Sequence, residues 1–170
     1  FLIYLNDIII LIMYSVRASN KFNFPKNKVL EIIREPGHLK KFHPFCLSNE
    51  ALNWPGEGSS DKLVYLNGVT YIRNFYNWSD NGFDLNIGGS KRKSTVNWIV
   101  EGDDKKSSLT VIIHPHLLYK YSITRWFVWN FFAKYMVQSY INHVMKGFTY
   151  YINTGYTVHK NQFGEHQWFS

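Results

Sequence analysis

The sequence predicts an α+β fold, in which a curved antiparallel sheet of about six or seven strands packs against two short helices and one long C-terminal helix. Three observations predict it. The stretch from Thr124 to Asn153 has no proline and carries apolar residues at helical spacing. Residues 47–114 consist of short segments of strand character separated by turn sequences. One strand pattern and two short helical segments precede them.

The chain opens with the strand and the two short helices. Over residues 16–24, apolar and polar side chains alternate as in a half-buried strand. Pro25 opens a helix over Lys26 to Arg34, because proline is favoured at the start of a helix. Pro36-Gly37 breaks that helix, and a second short helical piece runs from His38 to Phe42.

The central segment predicts an antiparallel meander. Asn81-Gly82, followed by the alternating residues 83–87, is the strongest hairpin signal in the chain. Gly88-Gly89-Ser90 with the basic triplet Lys91-Arg92-Lys93 predicts the next turn, and residues 102–106 predict a polar hairpin loop. Pro115 ends the last strand.

The predicted long helix has a wide apolar band and recognisable ends. Ser122 or Thr124 can serve as its N-cap, and Gly155 lies where a left-handed C-cap residue belongs. Because the band is wide, the helix needs a broad partner, and a sheet supplies one. The main apolar row consists of Val137, Ile141, Val144, Phe148 and Ile152.

This order of elements resembles the START-like helix-grip superfamily (SRPBCC), which includes Bet v 1-like allergens and polyketide cyclase/dehydrase-like proteins. The resemblance is carried by Phe22-x-Phe24-Pro25, by the segment Pro36 to Pro44 and by the terminal helix, and it covers residues 14–155. Residues 161–169 also resemble an ending found on some bacterial members. The resemblance implies a hydrophobic cavity between the concave face of the sheet and the long helix. The superfamily hosts carriers, receptors and enzymes, so it leaves the function open.

The chain divides into an N-terminal apolar extension (1–13), the START-like domain (14–155) and a C-terminal tail (156–170). The extension is too short to cross a bilayer, which takes about 20 residues, and it lacks the basic start and the cleavage site of a signal peptide. We expect it to lie outside the fold, with a membrane anchor as the alternative. The single cysteine, Cys46, fits a reducing compartment, so we expect a cytoplasmic location.

The composition is aromatic and basic. The 170 residues include 13 Phe, 12 Tyr and 6 Trp, which can line an internal cavity or fill a bulky core. The formal net charge of +7 favours anionic partners, but the basic residues are scattered and no nucleic-acid-binding motif accompanies them. We therefore expect no nucleic-acid partner.

The sequence contains no motif of a zinc protease, a redox pair, a serine hydrolase or a phosphate loop. His114 and His116 end the last strand, and His43 and His143 are the other candidate zinc ligands, but no acidic residue stands near to complete a site. We expect no metal and no cofactor, and we expect Cys46 to be a structural thiol.

Arg73 can contact a ligand only if its side chain points into the cavity rather than to solvent. One face of its strand carries Val69, Tyr71, Arg73, Phe75 and Asn77, and the other carries Thr70, Ile72, Asn74, Tyr76 and Trp78. The second face is more apolar, which predicts that it faces the helix and that Arg73 points to solvent. A bulge would instead turn Arg73 into the cavity, where it could bind an anionic head group.

The predicted cavity residues combine polar and aromatic side chains from the sheet and the long helix. His143 is the best candidate for a general acid or base. A polar side chain satisfied within the core is an equal alternative for each polar member. The set comprises Arg73, Asn74, Tyr76, Trp98, Phe132, Met136, Tyr140 and His143.

We predict binding of a hydrophobic small molecule or lipid in this cavity, because the strands expected to face the helix carry no carboxylate for catalysis. The alternatives are a polyketide cyclase- or hydratase-like enzyme that uses the same cavity, and a module that docks on a membrane or partner through Trp126 to Phe132. That segment is apolar around its circumference, and the tail residues Phe163, Trp168 and Phe169 are its simplest cover. The sequence leaves the oligomeric state open.

Overall fold

The structure, a computed structural model, describes residues 14–89, 92–116 and 121–170. The strands are β1 (Val16–Phe22), β2 (Cys46–Asn53), β3 (Ser60–Tyr65), β4 (Thr70–Ser79), β5 (Gly82–Gly88), β6 (Lys93–Gly102) and β7 (Ser107–His114). They form one seven-stranded antiparallel sheet with the order β1-β7-β6-β5-β4-β3-β2. The predicted extension at residues 1–13, and Ser90 and Lys91 of the predicted basic turn, lie outside the described residues.

Two short helices, α1 (Lys26–Arg34) and α2 (Leu39–Phe42), join β1 to β2. A helical run follows β7 and consists of α3 (Ser122–Val128), a π-helical turn (Trp129–Ala133) and α4 (Lys134–Thr154). The predicted helix-grip architecture is therefore confirmed. The break of the long helix into two α-helical parts by a π turn was not predicted.

The prediction is correct for one of the two ends of the helical run. Gly155 has φ 74°, and its N–H donates to the carbonyl oxygen of Tyr151 at 2.8 Å, as expected for a left-handed C-cap. The predicted N-cap is wrong, because Ser122 already belongs to the helix. Tyr121 occupies the cap with an extended backbone and makes no side-chain capping bond.

The predicted hairpin at Asn81-Gly82 is confirmed, since β4 ends at Ser79, which pairs with Gly82. Gly82 has φ 129°, and a Cβ atom at this position would lie 1.9 Å from the carbonyl oxygen of Trp98 on β6. A glycine is therefore required both by the backbone conformation and by the close approach of the next strand.

The prediction of which face of β4 points towards the helix is wrong. Arg73 pairs with Ile87 and is buried, whereas Asn74 on the opposite face is exposed. A register shift between Tyr76 and Ser79 explains the error, because Asn77 adopts φ 51° and bulges the strand. Beyond the bulge, the residues that would point outward point inward instead. Trp78, an even number of residues after the exposed Asn74, therefore stacks on the buried Phe83 with ring centroids 5.2 Å apart.

Helix α4 approaches α2 closely at Gly147. A Cβ atom on Gly147 would lie 2.0 Å from the carbonyl oxygen of Phe42. Next to this contact, Phe148 is fully buried and packs edge-on against Phe42 and Phe22, with ring centroids 5.1 and 5.5 Å apart. These rings tie α4, α2 and β1 into one core.

The tail after Gly155 runs back over the domain. The N–H of Val158 donates to Lys41 at 2.9 Å, and the N–H of Asn161 donates to Pro44 at 3.0 Å. Farther along, His166 bonds through Nε2 to the carbonyl oxygen of Met136 at 3.0 Å. The tail therefore packs against α2, against the connection from α2 to β2 and against α4.

Candidate ligand cavity

A cavity of about 700 Å³ lies between the sheet and the long helical run. Its apolar lining comes from five neighbouring strands and from α4, because alternate strand residues and one row of the helix point to the same side. The strands supply Leu63, Tyr71, Leu85, Ile87, Val96, Trp98, Val111 and Ile113, and α4 supplies Val137, Ile141 and Val144.

Several structural elements meet at one end of the cavity. Gly88, Gly89 and Arg92 belong to the β5–β6 turn, and Pro115 and His116 follow β7. Val128 and Phe132 come from the start of the helical run, and Trp168 and Phe169 come from the tail. Phe169 stacks on Tyr65 with ring centroids 4.4 Å apart, so the tail supplies part of the cavity wall.

A buried ion pair lies on this wall. Arg73 and Asp61 are directly opposite on β4 and β3, and their side chains are 3% and 0% exposed. Nε of Arg73 donates to Oδ1 of Asp61 at 2.7 Å, and Nη2 donates to Oδ2. Burial raises the pKa of Asp61, but the charge and hydrogen bonds of Arg73 outweigh burial, so the net pKa is lowered. The pair is therefore ionised, and its two charges compensate each other.

His38 is the third member of this group. Its Nδ1 donates to the carbonyl oxygen of Glu35 at 2.9 Å, which leaves Nε2 to accept from Nη2 of Arg73 at 3.4 Å. Burial, with the nearby charge of Arg73, lowers the pKa of His38 to about 3. His38 is therefore neutral at physiological pH and adds no charge to the pair.

A second polar group on the wall is a chain of three side chains. The N–H of Phe45 lies 3.2 Å from Nδ1 of His43, whose Nε2 lies 2.9 Å from the hydroxyl of Tyr140. That hydroxyl lies 3.0 Å from the hydroxyl of Tyr65. Burial lowers the pKa of His43 to about 3, raises that of Tyr140 to about 12 and also raises that of Tyr65. All three groups are therefore neutral.

Four of the eight predicted cavity residues line the cavity. Arg73 and Trp98 come from the sheet, Tyr140 comes from α4 and Phe132 comes from the π-helical turn. Arg73 points inward, as the bulge alternative required, but Asp61 already compensates its charge. Contact between these four residues and a ligand stays a prediction.

The other four predicted residues do not line the cavity. Asn74 and Tyr76 lie on the opposite face of β4, where Asn74 pairs with Asn86 and Tyr76 pairs with Asp84. Met136 and His143 lie on another side of α4, because they are offset from the row of Val137, Ile141 and Val144.

His143, the predicted acid or base, is held by the tail. Its Nδ1 lies 2.7 Å from the carbonyl oxygen of Ser139, and its Nε2 lies 3.0 Å from that of Phe163. Both ring nitrogens therefore contact backbone oxygens. This arrangement anchors the tail to α4 and keeps the imidazole out of the cavity.

The sequence reasoning missed Asp61, His38 and Tyr65, and it did not include His43 among the cavity residues. The expectation that no carboxylate lies on the inner face of the sheet is wrong, because Asp61 is fully buried there. The alternation of the strand could have predicted this burial, since Asp61 lies two and four residues before the buried Leu63 and Tyr65 and so shares their face.

The other candidate sites can be placed as well. Over the described part of the chain, no three His, Cys, Asp or Glu side chains are grouped so as to hold a metal ion. Nε2 of His114 lies 3.1 Å from Oδ1 of Asn97. Cys46 is buried, and burial raises the pKa of its thiol to about 12, which makes it a poor nucleophile.

The start of the helical run exposes an aromatic patch. The tail covers little of it, because Trp168 contacts Phe132 at 5.9 Å but leaves Trp126, Phe127 and Phe131 at 46%, 52% and 70% exposure. The prediction that the tail covers this segment is therefore wrong for most of its length. The exposed members of the patch are Tyr121, Ile123, Trp126, Phe127, Phe131, Phe132 and Tyr135. None of the helices in the described ranges combines the length and the hydropathy of a membrane span.

Comparison with known proteins finds no matching family model and no matching curated protein. Solved structures do match. DynU16, from the dynemicin biosynthetic locus, has a TM-score of 0.63 and 14% identity, over 85% of this chain and 49% of DynU16. The di-domain ARO/CYC BexL from the BE-7585A biosynthetic pathway has a TM-score of 0.63 and 7% identity, over 82% and 47%. This chain thus spans about half the length of each of these two proteins.

A START superfamily protein from Mycobacterium smegmatis matches over nearly its whole length. Its TM-score is 0.60 and its identity is 11%, over 84% of this chain and 96% of that protein. At these identities the likeness concerns the fold, and it places the chain among proteins with the START-like helix-grip fold.

Proposed function

We propose that this chain, which has the START-like helix-grip fold, binds a hydrophobic small molecule or lipid between its sheet and its long helix. The observation that carries the proposal is the cavity of about 700 Å³ with its largely aliphatic and aromatic wall. Both the size and the lining are typical of small-molecule sites. Arg73, Trp98, Phe132 and Tyr140 are the predicted ligand contacts that support it.

The alternative, a polyketide cyclase- or hydratase-like enzyme, has weaker support from the cavity. His143 does not line it. His43 and Tyr140 do, but burial lowers the pKa of His43 to about 3 and raises that of Tyr140 to about 12. Neither group is poised near neutral pH to take a proton from a substrate and return it. We therefore favour binding over turnover.

The test is binding of Nile red, a neutral hydrophobic dye, together with native mass spectrometry of protein purified from its own host. Val137→Trp projects a large ring from α4 into the cavity, so we expect it to abolish most of the dye fluorescence. Lys146→Trp, at an exposed position of the same helix, is the matched control and should leave dye binding unchanged. Equal dye binding by both variants would place the dye elsewhere and contradict the proposal.

We further propose that the aromatic patch docks on an anionic lipid surface. Tryptophan, tyrosine and phenylalanine favour the interface of a bilayer. Two observations support the lipid surface as the partner. Lys134 is exposed within the patch, and the net charge of the chain is +7. The patch is also continuous with the cavity, since Val128 and Phe132 of the same helical run line it.

The docking proposal predicts sedimentation with phosphatidylcholine vesicles that contain phosphatidylglycerol. Phe127→Ser combined with Phe131→Ser should weaken vesicle binding at least about tenfold, because each buried Phe contributes about 1.5–3 kcal/mol. Tyr156→Ser removes an exposed aromatic side chain from the tail and is the control. Concentration-dependent dimers in sedimentation velocity, lost in the Phe variant while vesicle binding is absent, would assign the patch to a second copy of the chain instead.

A further inference from the structure

The cavity wall holds a hydrogen-bonded chain of side chains that has more protons than internal contacts. His43, Tyr140 and Tyr65 all line the cavity and are linked by contacts of 2.9 and 3.0 Å. Each of the three side chains carries one proton able to hydrogen-bond, provided that His43 is neutral. The direction of every bond in the chain follows from where the proton of His43 lies.

The backbone fixes that proton. The N–H of Phe45 can only donate, and it contacts Nδ1 of His43 at 3.2 Å, so Nδ1 is the acceptor. The proton of the neutral imidazole must then be on Nε2, which donates to the hydroxyl oxygen of Tyr140. Burial, which lowers the pKa of His43 to about 3, agrees with the neutral form.

Counting protons leaves one unused. Nε2 of His43 and the hydroxyls of Tyr140 and Tyr65 supply three protons, but the chain contains two contacts. If Tyr140 donates to Tyr65, the proton of Tyr65 is left over, and if Tyr65 donates to Tyr140, the proton of Tyr140 is left over. In both cases no other described residue accepts it. A buried donor without a partner is costly, so the wall favours a ligand that supplies an acceptor.

The charges nearby decide which kind of acceptor. Arg73 lines the same wall, and its Nη1 makes no hydrogen bond to a described residue, so this group is available as a second donor. Its charge is compensated by Asp61, which is fully buried and ionised. A ligand carboxylate bound at this group would place a second negative charge beside Asp61, whose partner Arg73 is already paired. Arg92, the other arginine of the lining, belongs to the β5–β6 turn. A neutral oxygen avoids that cost.

We infer that the occupant of this cavity is an apolar molecule with a neutral carbonyl oxygen, which accepts the spare tyrosine proton. The inference rests on the proposed function and adds the ligand class to it. Tyr65 and Tyr140 act as a donor subsite, His43 orients Tyr140, and the ion pair of Arg73 and Asp61 disfavours acids.

Three probes of nearly the same shape test the inference: fluorene, 9-fluorenone and fluorene-9-carboxylate, each competing with Nile red. We expect fluorenone to bind about 3–10-fold more tightly than fluorene, the effect of one net hydrogen bond. We expect the carboxylate to bind more weakly than fluorenone. Tightest binding by the carboxylate would overturn the neutral-acceptor assignment, and equal binding of fluorene and fluorenone would overturn the donor subsite. Failure of all three probes and of Nile red would instead count against the proposed function.

Variants locate the donor. Tyr65→Phe combined with Tyr140→Phe should remove the preference for fluorenone over fluorene, apart from any part supplied by Arg73, while Nile red still binds. Tyr76→Phe is the matched control, because Tyr76 lies on the opposite face of β4 and does not line the cavity. An unchanged preference in the double variant would exclude the tyrosine pair.

A vibrational measurement on the unaltered protein does not depend on the folding of a variant. The carbonyl stretch of bound fluorenone should lie at lower frequency than that of fluorenone in hexane, because a hydrogen bond weakens the C=O bond. A hexane-like frequency in the bound state would overturn the inference.

Discussion

The two halves of the C-terminal helical run are built from similar residues and have opposite surroundings. In α4, Phe148 is fully buried between Phe22 and Phe42. In the first half, α3 buries none of its residues, and Phe131 in the π-helical turn is 70% exposed. The difference teaches that aromatic content does not mark the core of this chain. Position relative to the sheet and the tail does.

The largest expected effect is the difference in stability between two Phe→Ala variants, one in each half of the helical run. Phe148→Ala should lower the free energy of unfolding by about 3–5 kcal/mol, because it removes a ring from a packed core and leaves a cavity. Phe131→Ala should change it by about 0.5 kcal/mol or less, because its ring is already in water. Urea denaturation of both variants measures the difference. Similar losses would mean that the first half is covered in solution.

Acid should destabilise the protein through its two buried, neutral histidines, His38 and His43. The pKa values of His38 and His43 are about 3 in the folded state, whereas an unfolded histidine titrates near 6.5. Between these values the unfolded state binds the proton and the folded state does not, so stability falls as the pH drops below 6.5. The loss at pH 5 is about 2 kcal/mol for each histidine.

Urea denaturation at pH 7.5 and pH 5 measures this loss. His43→Gln should reduce the difference between the two pH values by about half, because one of the two histidines no longer titrates. His159→Gln, at an exposed position, is the control and should leave the difference unchanged. The lowered pKa of Asp61 adds a further loss below about pH 4, where an unfolded aspartate takes up its proton. Stability that is flat from pH 7.5 to pH 5 would contradict the buried neutral state of both histidines.

The smallest expected effect is at the contact of α4 with α2. Gly147→Ala should destabilise the protein by about 1–3 kcal/mol, since the added methyl group meets the carbonyl oxygen of Phe42. This sign opposes intrinsic propensity, because alanine is favoured over glycine within a helix by about 1 kcal/mol. Thermal unfolding decides between the two effects. A stabilised Gly147→Ala variant would show that α4 lies farther from α2 than described.

The sequence predicts those parts of the fold that depend on local chemistry. The hairpin at Asn81-Gly82 and the C-cap at Gly155 follow from backbone preferences of single residues, and both are present. The bulge at Asn77 is not visible in the alternation of residues. The bulge changes which residues of the strand point inward, so Arg73 points inward although simple alternation predicts that it points outward.

The polar wall depends on pairs that are distant in sequence. Asp61 and Arg73 lie opposite each other through strand register, and Tyr140 meets His43 across 97 positions of the chain. Residue types alone do not specify such partners. The apolar side of α4 could be predicted because helical periodicity is a property of one segment.

The π-helical turn at Trp129–Ala133 has a consequence for how this chain tolerates changes in length. A π turn holds one residue more than the corresponding α turn, and each residue of an α-helix rotates the face by about 100°. Deleting one residue there would restore α-helical bonding and swing α3 about its axis relative to α4. The core under α4 would keep its register, while the aromatic side chains before the turn would face a new direction. A single indel, rather than any substitution, is thus the change that would redirect this surface.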